Sequence, residues 1–214
     1  MDETRTKAQW RDPGTIAGVQ WHVDVIHKYK AHSAGTTYDM RLDLWASKKL
    51  AMLQSGLWEA AYLGDVTPED ASIGLVPMPK GPSGFRAGSM GVNFFPIWRS
   101  SKHPQEAWEF DKFICSKEVG IENVERIGEP GLRYDVWDDP KVKNNPLIAP
   151  HAPLMKEAKR FPSPANARDS ENLDVSNPIL EAMYVGELSV EEGTTKLQGK
   201  VQEVLDMPPP TAAV

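Results

Sequence analysis

His22 and His27, in the stretch HVDVIH, are the first residues whose type suggests chemistry. They stand five apart, whereas a zinc-binding helix presents its two histidines four apart on one face. That spacing leaves them as partly exposed helix histidines. His103 and His151 sit beside prolines in loops, without the partners that catalysis needs. GPSGFRAG has the glycines of a phosphate cradle but lacks the Gly-Lys-Ser/Thr ending of a P-loop and the glycine fingerprint of a dinucleotide site, so it reads as a turn. No Gly-x-Ser-x-Gly elbow offers a serine nucleophile. Cys115 is the single cysteine, which excludes an intrachain disulfide and a cysteine-rich metal site. It is expected on the inner side of its helix, as a small hydrophobe. Glu59 and Asp65 supply the two carboxylates of a glycosidase, but chain spacing does not set their separation in space. These residues define no catalytic centre, no metal site and no cofactor.

The aromatic residues carry more information. In LAMLQSGLWE, Trp58 stands two residues after Gly56 and directly before Glu59. An indole there either plugs a core or lies open as a flat platform. Seven tryptophans in 214 residues exceed what a core of this size uses, so some are expected at the surface. Bulk properties narrow the classes. With 40% hydrophobic and 25% charged residues the composition is that of an ordinary globular protein. A formal net charge of −6 argues against non-specific nucleic-acid binding, which needs a basic surface. No apolar run approaches the roughly 18 residues that cross a bilayer.

The elements that must position these residues follow from periodicity. Ile16, Val19, Val23, Ile26 and Tyr29 form one stripe of a helix over residues 14–30, opened by Asp12 or Thr15. A short helix is predicted from Tyr38 to Ser47. LAMLQSG, ASIGLVPMP and FRAGSMGVNFFPIW read as extended strands, the last two separated by a Pro- and Gly-rich turn. Pro104 starts a helix whose buried face is Ala107, Phe110, Phe113 and Ile114. KEVGIENVERIG is a helix closed by Gly128. Short helices joined by Pro-rich loops follow. Ser189 and Glu192 make a capping box for a last helix with Val190, Leu197, Val201 and Val204 on its inner face. Residues 207–214 are expected to fray as a disordered tail. Strands alternating with helices indicate an α/β protein, though helices outnumber strands.

At LWASKKLAMLQSGLWE the pattern resembles the family 1 extracellular solute-binding proteins, sugar-capturing receptors of bacterial ABC importers. Trp45, Lys49, Ala51, Met52, Gly56, Trp58 and Glu59 match that family's motif. VPMPKGP, SKHPQEAWEFDKFICS, GEPGLR and GELSVEEGTTKL follow in the family's order, so the likeness runs from Asp12 to Asp206. Two departures stand out. Lys48 replaces the usual glycine before Lys49, which implies another turn geometry there. SMGVN offers one glycine, Gly91, where many relatives carry two.

The resemblance implies a periplasmic-binding-protein type II fold, present in part and mostly as its C-terminal lobe. Residues 1–91 would belong to that lobe, residues 92–140 would cross to the N-terminal lobe, and residues 141–206 would return as C-terminal-lobe helices. A strand-rich lobe and a secretory signal, absent from the polar start MDETRTKAQWRDPG, would lie upstream. The implied ligand is an oligosaccharide or polyol, held in an interlobe cleft by Trp58, Glu59, Gly91, Val92, Asn93 and Arg133. The implied partner is an ABC permease, and the implied location is periplasmic or extracellular, with lipoprotein attachment as one form. Another solute, such as a sugar phosphate or polyamine, is the alternative ligand, and a glycoside hydrolase the alternative class. Phe110, Phe113 and Ile114 would normally pack on elements absent from this chain, so self-association is expected.

Overall fold

Asp12 opens the first helix as the sequence predicts: its carboxylate accepts from the Gly14 N–H at 2.8 Å, and Pro13 occupies the first helical position. A computed structural model describes residues 1–67, 73–84, 95–129, 131, 133–146, 148–153 and 164–210. Within it the chain divides into two compact units, one made of residues 1–36 and 162–214, the other of residues 37–161.

The first unit is a helical assembly of α1 (Pro13–His27), α8 (Asp169–Tyr184) and α9 (Val190–Leu205), the labels α2 to α7 belonging to the second unit. Ser189 and Glu192 form the expected capping box at the start of α9. Val190, Leu197, Val201 and Val204 are all buried on that helix, as its stripe requires. Leu197 and Val201 pack with Val19 of α1 and Met183 of α8. A methyl group at Gly193 would overlap the Met183 side chain, so this glycine permits close approach of α8 and α9. Gln198 and Gln202, one turn apart on α9, hold the extended N-terminal segment: their Oε1 atoms accept from the Trp10 and Ala8 N–H groups, each at 2.9 Å. Their amide nitrogens donate back to the Ala8 and Thr6 carbonyls at 3.0 Å. Side-chain amides thus replace a neighbouring strand for this segment. Nor is residue 207 wholly released, because Asn166 donates to its carbonyl at 3.1 Å and Arg168 to that of Pro208 at 2.8 Å. The final residues 211–214 lie outside the described residues.

The second unit contains α2 (Met40–Ala46), a 3-10 turn at Leu57–Glu59 running into α3 (Ala60–Val66), then α4 (Pro104–Ile114) and α5 (Lys117–Ile127). The short helices α6 (Tyr134–Trp137) and α7 (Pro140–Lys143) follow. Val124, Val136, Val142 and Ile148 form its small core. Gly128 closes α5 at φ 72°, the left-handed cap predicted for it. Lys48 departs from expectation in an informative way. It adopts φ 57° itself, and the Lys48 and Lys49 N–H groups bond the Trp45 and Leu44 carbonyls at 2.9 and 2.8 Å. This is a Schellman ending, with lysine in the place that glycine usually fills.

Two expectations need correction. No β-strand occurs among the described residues. LAMLQSG and the described part of ASIGLVPMP belong to no helix or strand, and most of FRAGSMGVNFFPIW lies outside the described residues. An extended segment becomes a strand only when a neighbour accepts and donates along its length. Secondly, α4 buries no residue: Phe110 and Phe113 are 60% and 62% exposed, and Cys115 is exposed too. The inward Cys115 is thus corrected, while the exposure of Phe110 and Phe113 agrees with the expectation that they lack their usual packing partners here.

Two predictions follow from this architecture. Lys48→Gly removes the strain of an L-residue in the left-handed region and should raise stability by about 1 kcal/mol, read by urea titration; a decrease contradicts the assignment. Exposed Phe110 and Phe113 each gain about 1.5–3 kcal/mol when buried. Sedimentation velocity should therefore show self-association of the chain that Phe110→Ser/Phe113→Ser abolishes; a concentration-independent monomer contradicts this.

Candidate functional site

The site begins with the backbone turn at residues 55–59. The Glu59 N–H donates to the Gly56 carbonyl at 3.1 Å, which closes the 3-10 turn carrying Trp58. The indole ring folds back against Gly56, so closely that a methyl group on the Gly56 α-carbon would overlap the six-membered ring. Gly56 is thus required for close approach of an aromatic ring, and not for a tight turn as its position suggests. The other side of the ring system is open: Trp58 is 53% exposed. Tyr62, one turn further on in α3, is exposed as well.

Glu59 takes the opposite orientation. It is 5% exposed, and its carboxylate meets three donors from this unit. Arg41 of α2 and the Tyr38 hydroxyl both bond Oε1, while the Ser55 hydroxyl bonds Oε2. Arg41 is itself buried; its Nη1 donates to the Tyr38 carbonyl at 2.6 Å, and its guanidinium carbon lies 3.1 Å from the centroid of the Tyr38 ring. A buried carboxylate and guanidinium need such mutual satisfaction, because desolvating either alone is unfavourable. Glu59 therefore faces inward, although the resemblance placed it against a ligand hydroxyl. One turn further along the same face of α2, the Trp45 indole N–H donates to Thr67 Oγ1 at 2.9 Å, which ties α2 to the end of α3.

Arg133 is exposed and already engaged. Its Nε and Nη2 donate to Asp135 at 2.9 and 2.7 Å, and its Nη1 donates to the Cys115 carbonyl at 3.3 Å. Hydrogen bonding from Arg133 holds the Asp135 carboxyl below its ordinary range, and the same pair raises Arg133. Gly91, Val92 and Asn93 lie outside the described residues. The motif residues Lys49, Ala51 and Met52 are exposed. Arg41, Tyr38 and Ser55 were not anticipated. Their only sequence signal is spacing: Tyr38 precedes Arg41 by three residues, and Ser55 precedes Glu59 by four.

The titratable residues weighed earlier have other surroundings. His22 stacks on Tyr184 with ring centroids 4.4 Å apart, and His27 Nε2 lies 2.9 Å from the Tyr184 carbonyl oxygen. Desolvation, then the neighbouring His32, lowers the His22 pKa. No cluster of three or more metal-ligating side chains occurs among the described residues.

The turn thus presents an exposed indole beside an inward-facing, fully engaged carboxylate. Residues 4–121 match the family of bacterial extracellular solute-binding proteins, and the chain belongs to it. The chain is 24% identical over 160 residues to the maltotriose-binding protein of Pyrococcus abyssi, covering 70% of this chain and 34% of that protein. An uncharacterized ABC transporter extracellular-binding protein of Pyrococcus horikoshii is 23% identical over 164 residues, covering 77% of this chain and 36% of the relative. The chain thus spans about a third of the length of these curated relatives. The fold matches a maltose-bound MalE3 from T. maritima with a TM-score of 0.78 and 23% identity, over 95% of this chain and 53% of that one. The fold is therefore that of periplasmic binding proteins of the MalE type, present here in part.

Gly56→Ala tests the packing of the ring. The added methyl group must displace the indole, so the Trp58 contribution to near-ultraviolet circular dichroism, isolated by difference against Trp58→Phe, should be lost while helix content stays constant. A retained signal would show that the ring does not lie on Gly56.

Proposed function

We propose that this chain is the sugar-contacting part of a solute receptor that delivers an oligosaccharide or polyol to an ABC permease. The observation that carries this reading is the Trp58 ring, backed on one side by Gly56 and open on the other. A pyranose presents a patch of C–H bonds that lies flat on such a ring, with hydroxyls at its edge for polar partners. The name of the Pyrococcus abyssi relative, a maltotriose-binding protein, supports a linear glucose oligosaccharide as the first ligand to try.

In the complete receptor, residues 1–91 and 141–206 belong to one lobe and residues 92–140 cross to the other, with the ligand enclosed by closure of the two. Gly91, Val92 and Asn93 supply backbone and amide partners at the cleft. Arg133 joins them by exchanging its exposed bond with Asp135 for a ligand hydroxyl, a substitution that an exposed ion pair resists only weakly. The receptor works outside the cytoplasm, free in the periplasm or held to the membrane as a lipoprotein, and it binds without chemical conversion of the sugar.

The test is calorimetric titration with maltotriose. A sugar covering about 60 Å² of the ring gains on the order of 1.5 kcal/mol. Trp58→Ala should therefore weaken binding about tenfold while the melting temperature stays nearly constant. Equal loss of affinity and stability would make Trp58 a packing residue, and release of reducing ends from maltotriose would mark a hydrolase.

A further inference from the structure

We infer that Arg41 is a positioning residue for Trp58, acting through the Glu59 carboxylate, and that Tyr38 and Ser55 complete the frame. This deepens the preceding reading and rests on it for the identity of the ligand, but the geometry is independent of any ligand. In a 3-10 turn successive side chains diverge by about a third of a revolution. Drawing Glu59 inward therefore rotates Trp58 away from the interior.

Three contacts draw it inward, and they come from two directions. Arg41 reaches across from α2, while Ser55 closes the turn from the preceding segment. Tyr38 serves twice: its hydroxyl bonds Glu59 Oε1 and its ring covers the guanidinium. The indole, pressed on Gly56, has its remaining freedom set by the backbone of residues 57–59. That backbone is anchored to α2 by the ion pair.

Arginine is suited to this task where lysine is not. One guanidinium nitrogen donates to the Tyr38 carbonyl, the other to Glu59, and the plane stacks beneath the Tyr38 ring. A lysine ammonium keeps the charge but offers neither the fork nor the flat face. Arg41→Lys thus preserves neutralisation of Glu59 and loses orientation. A role confined to charge balance predicts that this variant behaves as the parent; a positioning role predicts that it does not.

The experiment labels the 214-residue chain with 5-fluorotryptophan and assigns the Trp58 fluorine resonance through Trp58→Phe. Arg41→Lys should shift or broaden the Trp58 resonance. Ser55→Ala, which leaves the ion pair intact, should move it in the same direction by less. The resonances of Trp21 on α1 and Trp137 on α6 should stay in place. A Trp58 resonance unmoved in both variants overturns the proposal. So does displacement of the Trp58, Trp21 and Trp137 resonances together, which marks general loosening of the fold. If Arg41→Lys does not fold, Ser55→Ala and Tyr38→Phe decide by the same criterion.

Maltotriose, added as the probe, separates this proposal from the function beneath it. Where the parent chain binds maltotriose, Arg41→Lys should lose affinity by up to about tenfold, the cost of ordering one freed side chain on binding. Unchanged affinity with a displaced Trp58 resonance would overturn the role of orientation in binding. Absence of maltotriose binding by the parent counts against the sugar reading alone, and the fluorine shifts then decide the positioning role by themselves.

Discussion

A carboxylate that leaves water must find donors, and at Glu59 this requirement governs its neighbour. Three donors converge on the Glu59 oxygens from α2, from Tyr38 and from Ser55. Meeting them fixes which side of the Leu57–Glu59 turn faces inward. The residue before Glu59 is then committed to the outside, and that residue is a tryptophan. Exposing a large aromatic ring is unfavourable in isolation, yet here it follows from satisfying a buried charge.

The same unit shows how a small core supports such a site. Val124, Val136, Val142 and Ile148 fix α5 to α7, while contacts between α2 and α3 hold the Trp58 turn. A methyl group at Gly120 would come within 2.6 Å of Val136, so α5 and α6 also depend on close backbone approach. Exposed ion pairs such as Lys141–Glu125 at 2.8 Å decorate this framework and contribute little to it. Where α4 presents Phe110 and Phe113 to solvent, the unit shows an apolar face larger than its own core uses.

Local signals in the sequence were readable and distant ones were not. Asp12, Ser189 with Glu192, and Gly128 act within a few residues of themselves, so they marked helix ends correctly. The strands were misread for a complementary reason: LAMLQSG has strand composition, but a ladder depends on a partner that composition does not report. Trp58 stood out because glycine and tryptophan are close in the chain. Arg41 and Glu59 are 18 residues apart, and no periodicity links an arginine in one helix to a glutamate in another turn. Lys48 completes the turn that a lysine in a glycine's place is expected to alter, because two capping bonds hold this single residue in the left-handed region. Gln198 and Gln202 lie outside the apolar stripe of α9 and carry no local signal, though they serve as a ladder for residues 6–10.

Hydroxyl-radical footprinting with peptide-level mass spectrometry tests the central claim most directly, because it reads the accessibility of one ring with and without sugar. Trp58 should oxidise rapidly in the free protein and be protected at saturating maltotriose, while Trp21, also exposed, oxidises equally in both states. Slow oxidation of Trp58 without ligand, or oxidation that saturating maltotriose leaves unchanged, would contradict the account.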